Sequence, residues 1–244
     1  MRETAIVMRR ELRSYFVSPI AYVFGVLFLG FLLFIATEVI RDGQQASALP
    51  FFAMMPYLFI VFLPALSMRL WAEERKLGTL ELLMTFPASV PQLIAGKFLA
   101  AMLFLAIIIA MTIGYPITLS IYGNLDWGPV IGAYLASFLM AGAYLSIGMF
   151  WSSMTRDQIV AMLLSLVTLA ALFFLGLPNF LEWLADLGLW TWLIGVLNGI
   201  SPFKYFSSIA RGVIDTRDIV YYMSFCGFFL YANYLVLQGR RVKG

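Results

Sequence analysis

The amino-acid sequence predicts an all-α integral membrane protein that crosses the bilayer six times and forms a single transmembrane domain, residues 1–244. Hydrophobic residues account for 62% of the chain and charged residues for 12%, and the mean hydropathy is +0.91. Soluble domains carry about 25% charged residues, so this composition excludes the soluble classes. A helix needs about 20 apolar residues to cross a bilayer. The apolar stretches predict spans at residues 20–37, 51–68, 92–122, 130–150, 159–177 and 219–237.

The basic residues predict which side of the membrane each loop occupies. With both termini in the cytoplasm, 12 of the 16 Lys and Arg residues fall on the cytoplasmic side. Cytoplasmic loops are the ones enriched in Lys and Arg. All six Trp residues fall near predicted membrane boundaries, where aromatic side chains concentrate. We therefore expect both termini to be cytoplasmic.

Residues 1–18 are predicted to form an amphipathic elbow helix along the cytoplasmic membrane surface. Arg2, Arg9 and Arg13 share one face, and we assign Arg9, Arg10 and Arg13 to the membrane surface. Apolar residues at intervals of three and four form a second face: Ala5, Met8, Leu12, Tyr15 and Phe16. Because the leader is long and acidic residues interrupt it, we do not expect a cleaved signal peptide.

The most polar interruption of the apolar pattern is the segment 69–91, between the second and third spans. It begins RLWAEERKLGTLELLMTFP. Gly78 can end one helix in a left-handed conformation, and Thr79 can cap the next. A second short helix is predicted over residues 80–86, and Pro87 would stop it. The segment is therefore expected to be a structured cytoplasmic loop.

The short helix of this segment carries an apolar face and one well-placed acid. Glu81 lies in its positive first turn. The apolar face is made by residues at helical spacing: Leu77, Leu80, Leu83 and Met84. Such a helix suits a surface against which another protein pushes, although a charged loop between two spans is also expected from topology alone. Ser89 and Gln92 then spell a capping box for the third span.

Prolines and small residues modify several spans. Pro56 and Pro64 are expected to kink the second span, and Gly114 with Pro116 to interrupt the third. Small residues at four-residue spacing let helices approach closely. In the fourth span these residues are Ala133, Ser137, Ala141, Gly142 and Ser146.

Two outer segments complete the predicted chain. Residues 124–128 form a tight turn, and residues 178–218 form the longest segment between spans. Within the second segment, the apolar stretch 184–200 is broken by Asp186, Gly188, Gly195 and Gly199, and it is short for a crossing. One or two short re-entrant helices that dip into the outer leaflet are predicted there, between the fifth and sixth spans.

The sequence offers this chain no energy source of its own. No predicted span holds a Lys, Arg, Asp or Glu at its middle, where ion-coupled transporters place them. No G-x-x-x-x-G-K-[ST] loop is present to cradle a nucleotide phosphate. With no His and a single Cys226, no Cys/His metal site and no His- or Cys-dependent catalytic set is expected. A separate ATPase is therefore implied.

Three separated segments resemble type-2 ABC (ATP-binding cassette) exporter permeases. ERKLGTLELLMTFP resembles their E-x-x-x-G-T-x-E-x-L coupling-helix segment. The others are RELRSYFVSPIAYVF at residues 10–24 and SPFKYFSSIARGVIDTRDIVYY at residues 201–222. All three occur in the family's order over nearly the whole chain, and they look most like the gliding-motility-type (GldF-like) branch.

The resemblance implies a permease subunit of the bacterial cytoplasmic (inner) membrane. A second permease copy or a related membrane subunit would pair with it above two copies of a cognate ABC ATPase. ATP and Mg²⁺ would bind to that ATPase, this chain would bind no cofactor, and nucleic acid would not be a partner. Motif positions, joined by their neighbours, imply ATPase-coupling residues: Glu73, Glu74, Arg75, Gly78, Thr79, Leu80, Glu81 and Leu83.

Other functions remain open at this point. The leading alternative is a mechanotransmitting subunit that drives a large extracytoplasmic partner while nothing crosses the membrane. An open polar pathway would favour export, and tightly closed spans joined to such a partner would favour transmission. An intramembrane enzyme lacks paired acids or a nucleophile in the spans, and an ion channel lacks a filter sequence. No substrate-binding residue can be assigned.

Overall fold

The computed structural model describes residues 2–41, 48–84, 88–123, 125–188, 190–213 and 215–241. In this part of the chain every regular element is a helix, and no strand occurs. Five helices are long and apolar enough to cross a membrane, or six if one bent pair counts as a single span. The prediction of an all-α membrane protein is therefore confirmed, and the described residues supply five to six of the six predicted spans.

The described residues form fourteen helices. They are α1 Arg2–Val17, α2 Pro19–Arg41, α3 Leu49–Ala53, α4 Met55–Ser67, α5 Arg69–Lys76, α6 Thr79–Met84, α7 Val90–Met111, α8 Gly114–Tyr122, α9 Trp127–Met154, α10 Gln158–Phe174, α11 Pro178–Asp186, α12 Thr191–Ile200, α13 Pro202–Ile209 and α14 Thr216–Arg241. The predicted spans correspond in order to α2, α3 with α4, α7 with α8, α9, α10 and α14.

Helix α9 is the central element of the bundle. It packs against α4, α5, α7, α10, α13 and α14. The small residues predicted to allow close approach are all buried there, which confirms that expectation. At Gly148 the contact with α4 is so close that an added Cβ would lie 2.7 Å from Ser67 Cβ. The two helices can approach this closely only because residue 148 is a glycine.

The second span extends further than predicted. Residues 69–76, which precede the helix end expected at Gly78, form helix α5, which follows α4 with only Met68 between them. Together the residues from Leu49 to Lys76 form one candidate span of 28 residues. The charges of α5 do not mean that the whole helix is exposed to solvent. Trp71 and Ala72 of α5 are fully buried.

The third span follows the prediction closely. Its first turn carries the capping box, in which the Ser89 backbone N–H donates to Gln92 Oε1 at 2.8 Å. The helix is interrupted between α7 and α8, just before Gly114. The predicted stop at Pro87 and the Asn124 end of the outer turn lie outside the described residues.

The segment 178–218 forms three short helices rather than one or two. Helix α11 is bent by 80° from α10. Helices α11 and α12 bury no residue, whereas α13 packs on α9 through Phe206 and Ile209. Whether these helices enter the outer leaflet stays a prediction. We call this end of the bundle the outer end, and the opposite end, which holds α1, α5 and α6, the inner end, following the predicted orientation.

Candidate functional site

Four segments predicted to be cytoplasmic meet at the inner end: α1, α5 with α6, the start of α7, and the end of α9. At their centre lie four charged side chains, which we call the ionic cluster: Arg10, Glu11, Glu74 and Lys97. They come from α1, α5 and α7. The cluster therefore joins three helices that are far apart in the sequence.

Lys97 is the centre of the ionic cluster. Its side chain is 2% exposed, and its Nζ lies 3.1 Å from Glu11 Oε1 and 2.9 Å from Glu74 Oε1. The same Nζ lies 5.1 Å from the centre of the Trp71 ring. A buried ammonium is stable only when it is paired and hydrogen-bonded, and an aromatic face adds further attraction. One lysine thus holds a carboxylate of α1 and a carboxylate of α5 at once.

Arg10 closes the cluster from the solvent side. Its Nη2 lies 2.6 Å from Glu11 Oε1 and 3.4 Å from Glu74 Oε1, and half of its side chain is exposed. Burial raises the pKa of the Glu11 carboxyl, but Lys97 and Arg10 outweigh that effect and leave this pKa below its usual value. Glu11 is therefore ionised at neutral pH, and it contacts both bases of the cluster.

Helix α1 lies against α7 along most of its length, and the close approach depends on a glycine. A Cβ at Gly96 would lie 2.8 Å from Val7 Cβ and 3.1 Å from the Thr4 carbonyl oxygen. Further along both helices, the Tyr15 ring stacks on the Phe104 ring, with 5.1 Å between the ring centres. The elbow helix is thus confirmed as a helix, and one of its faces packs on protein.

The packed face of α1 is rotated from the predicted one. Val7 is buried, Glu11 and Tyr15 are partly buried, and Ala5 and Phe16, assigned to the apolar face, are exposed. Glu11 lies on the packed face because Lys97 neutralises it. Of the residues assigned to the membrane surface, all are exposed, and Arg10 also joins the ionic cluster: Arg9, Arg10 and Arg13.

Helix α5 is held on α9 by hydrogen bonds at both of its ends. At its start, Ser152 Oγ accepts from the backbone N–H groups of Trp71 and Ala72 at 3.0 and 3.1 Å and donates to the Met68 carbonyl at 2.8 Å. The break between α4 and α5 leaves these buried backbone groups in need of partners, and Ser152 supplies them. The position of α5 on α9 is therefore fixed by directional contacts.

At its other end, α5 reaches the last turn of α9. Arg75 Nη1 donates to the carbonyl oxygens of Ser153 and Thr155 at 3.1 and 2.6 Å. Carbonyls at a helix C-terminus carry partial negative charge and lack partners within the helix, so a guanidinium is favoured there. Arg75 thus links α5 to the loop that leads into α10.

Between α1 and α5 lies a small cavity of about 40 Å³. Its lining is mostly polar and consists of Glu11, Ser14, Tyr15, Arg69, Leu70 and Glu73. Arg69 spans this side by donating to Ser18 Oγ at 2.9 Å, and its Nε lies 3.4 Å from Glu73 Oε2. Polar side chains, rather than apolar packing, therefore connect α1 with α5.

Helix α6 follows α5 after a sharp turn. Gly78 has φ of 70°, in the left-handed region predicted for it. Thr79 was expected to cap α6, but its Oγ1 donates back to the Glu74 carbonyl at 3.3 Å, so it satisfies the end of α5 instead. Leu83 is buried and Leu80 is partly buried against the core, which matches the predicted apolar face.

Two other residues were predicted to belong to the apolar face of α6. One of them, Leu77, is 68% exposed and does not join the face. The side chain of the other, Met84, lies outside the described part of the chain, as does the side chain of Glu81. Of the predicted coupling residues described with their side chains, Glu74, Arg75, Leu80 and Leu83 face other helices, Gly78 and Thr79 lie at the turn, and Glu73 pairs with Arg69 beside the cavity.

Sequence reasoning missed Lys97, Glu11 and Ser152 as members of this site. For Lys97 a signal existed, because it is the one cation between Lys76 and Arg156 and it lies within an otherwise apolar helix. For Glu11 the signal was its position four residues from Val7 and from Tyr15, which places it on the same helical face. For Ser152 no local signal exists, because its partners lie 80 and 81 residues away in the chain.

A protein-family model described as ABC-2 family transporter protein matches residues 6–216. This range includes the ionic cluster, α5, α6 and the three short outer helices. No curated protein matches the chain.

Proposed function

The chain belongs to the ABC-2 family of transporter proteins, and on that premise we propose that it is the permease subunit of an ATP-driven exporter of the bacterial inner membrane. Two membrane subunits, identical or related, pair above two copies of a separate ABC ATPase. ATP and Mg²⁺ bind to the ATPase, and this chain performs no catalysis. Residues 69–84 receive the motion of the ATPase and pass it to the membrane helices.

The observation that carries this proposal is the way in which α5 and α6 connect to the rest of the bundle. Helix α6 follows α5 at the Gly78 turn and presents a surface next to the inner end of the bundle. Helix α5 continues the second span, contacts α9 through Ser152 and Arg75, and contacts α7 through Lys97. A displacement of α6 would therefore reach three spans directly.

Each part of this segment has its own role in the proposal. Gly78 sets the direction of α6, and Leu80 and Leu83 hold that helix on the bundle. Glu81 binds a basic residue of the ATPase. Glu73, Glu74, Arg75 and Thr79 keep α5 in a fixed position relative to the neighbouring helices.

Charge reversal at Glu81 tests this assignment. Glu81→Arg should weaken co-purification with the cognate ATPase about tenfold, which corresponds to about 1.4 kcal/mol, while the protein still reaches the membrane. Glu182→Arg, at an exposed acid of α11, is the matched control and should bind the ATPase as wild type does. The measurement is ATPase binding together with ATP hydrolysis by the complex.

The purified chain alone should hydrolyse no ATP, because it lacks a phosphate-binding loop. Substantial hydrolysis by the isolated chain would contradict the permease assignment. Unchanged ATPase binding by Glu81→Arg would show that α6 is a solvated connection rather than a docking surface.

A mechanotransmitting subunit is the second candidate. The observation that favours it is the outer helix pair α11 and α12, which buries no residue and exposes Trp183, Trp190 and Trp192. A large extracytoplasmic partner would find an apolar surface there. Co-purification of such a partner, without any cargo moved by the reconstituted complex, would favour this function over export.

A further inference from the structure

We propose that Lys97 is a positioning residue that makes α1, α5 and the start of α7 move as one body when the ATPase acts. This inference rests on the proposed function, and it adds the N-terminal helix to the part of the chain that the ATPase displaces. The elbow helix then follows α5 during the cycle, in place of resting passively on the membrane surface.

The first step concerns what joins α1 to α5. Helix α1 packs directly on α7, where Gly96 admits it to within contact of Val7. Between α1 and α5 lies the small, mostly polar cavity. The ionic cluster joins the two helices beside it: the Lys97 ammonium touches Glu11 of α1 and Glu74 of α5 at 3.1 and 2.9 Å, and Arg10 of α1 lies 3.4 Å from Glu74.

The second step concerns how firmly this connection holds. Lys97 is 2% exposed and faces the buried Trp71 ring, so water does not compete for its donors. Charge-assisted hydrogen bonds are stronger and shorter than neutral ones, and a low local dielectric strengthens them further. An ammonium has three donors, and two of them are directed at carboxylates of different helices. A shift of α5 therefore pulls Lys97 and Glu11 with it.

The third step separates this role from a purely stabilising one. If the cluster only neutralised charge, α1 and α5 would be free to change their separation when nucleotide binds. If the cluster makes one body of them, their separation stays constant through the cycle and depends on Glu74. The two roles therefore predict different behaviour of the distance between α1 and α5, and not only different stabilities.

The experiment measures that distance in the complex with the cognate ATPase. Spin labels are placed at Ile6→Cys of α1 and Lys76→Cys of α5, both at exposed positions, with Cys226→Ala to remove the native thiol. The labelled complex is first shown to bind the ATPase and to hydrolyse ATP, because Lys76 lies within the segment assigned to coupling. We expect one narrow distance that is the same without nucleotide and with ATP trapped on the ATPase.

Glu74→Met removes both contacts that join α5 to the cluster and leaves no lone buried charge, because Lys97 keeps Glu11 as its partner. We expect the narrow distance to broaden or to shift on ATP binding, and Glu74→Gln, which keeps an acceptor, to give an intermediate result. Glu3→Met removes the same charge from α1 outside the cluster, and it should leave the distance unchanged.

Two results would overturn the inference: a distance that changes with nucleotide in the wild-type background, or a distance that stays narrow and constant in Glu74→Met. Failure of the proposed function is distinguished from either, because then the labelled chain would bind no ATPase in any background. If Glu74→Met is not produced in folded form, the wild-type distance alone still decides between one body and two.

Discussion

The inner end of this bundle and the helix pair α11 and α12 at its outer end are built on opposite plans. At the inner end, charged and polar side chains are buried in mutual contact, as in the ionic cluster around Lys97 and in the three hydrogen bonds of Ser152. At the outer end, helices α11 and α12 bury no residue at all and turn tryptophan side chains outward. Helices α9 and α10 run between the two ends.

This difference indicates which part of the protein has a tightly defined side-chain geometry. A buried ion pair or a buried backbone hydrogen bond has one acceptable arrangement, because an unpaired polar group in a low-dielectric interior is strongly unfavourable. An exposed apolar side chain in a membrane protein has many acceptable arrangements, because the surrounding lipid is as apolar as the neighbouring side chains. The inner end should therefore resist substitution, and the outer helix pair should tolerate it.

Replacement of a lysine is expected to give the largest difference in stability between the two ends. Lys97→Met leaves the carboxylates of Glu11 and Glu74 buried without their shared cation, and breaking such a pair destabilises by about 3–5 kcal/mol. Lys204→Met, at the outer end, removes an exposed ammonium that lies over the Tyr205 ring at 5.7 Å. An exposed contact of that kind contributes about 0.5–1 kcal/mol.

The midpoint of thermal unfolding in detergent and the yield of folded protein measure this difference. Lys97→Met should lower both strongly, and Lys204→Met should lower neither by much. Equal effects would show that the ionic cluster contributes no more than a surface contact, and the contrast between the two ends would then be wrong.

A second comparison concerns helical glycines. Gly148→Ala would place a methyl group against Ser67 of α4, where no space exists, and overpacking of this kind destabilises by about 1–3 kcal/mol. Gly195→Ala, in α12, meets nothing within 4 Å and should stabilise by about 1 kcal/mol, because Ala is the better helix former. Thermal unfolding of both variants should therefore shift in opposite directions. A loss of stability in Gly195→Ala would mean that α12 contacts a surface not visible in the single chain.

Local features of this protein could be predicted from its sequence. The capping box of Ser89 and Gln92, the left-handed Gly78 and the small-residue face of α9 each depend on residues within a few positions of one another, and the structure has all three. Apolar length alone predicted six spans, of which the described residues supply five to six candidates. Physical requirements of this kind act over one or two helical turns, so they can be read along the chain.

Features that depend on helix packing could not be predicted. The charges of residues 69–76 do not reveal that Arg75 binds carbonyl groups at the end of α9 or that Glu74 binds Lys97. Glu11 was assigned to no contact, yet it also binds Lys97. In each case a partner from a distant segment removes the penalty of burial. Only the relative position of the helices reveals that partner.

The last comparison separates backbone strain from function. Gly78 and Gly188 both adopt the left-handed conformation, with φ of 70° and 84°, and neither would bring a Cβ within 4 Å of another residue. Gly78→Val and Gly188→Val should therefore be destabilised by a similar amount, about 1–2 kcal/mol, because both place a Cβ in a left-handed turn. Only Gly78 sets the direction of α6, so only Gly78→Val should lose binding to the ATPase, as measured by co-purification. Gly78→Asn should recover much of that binding, since Asn adopts this conformation more readily. If Gly188→Val loses the ATPase equally, the defect follows from stability alone, and the turn before α6 has no special part in coupling.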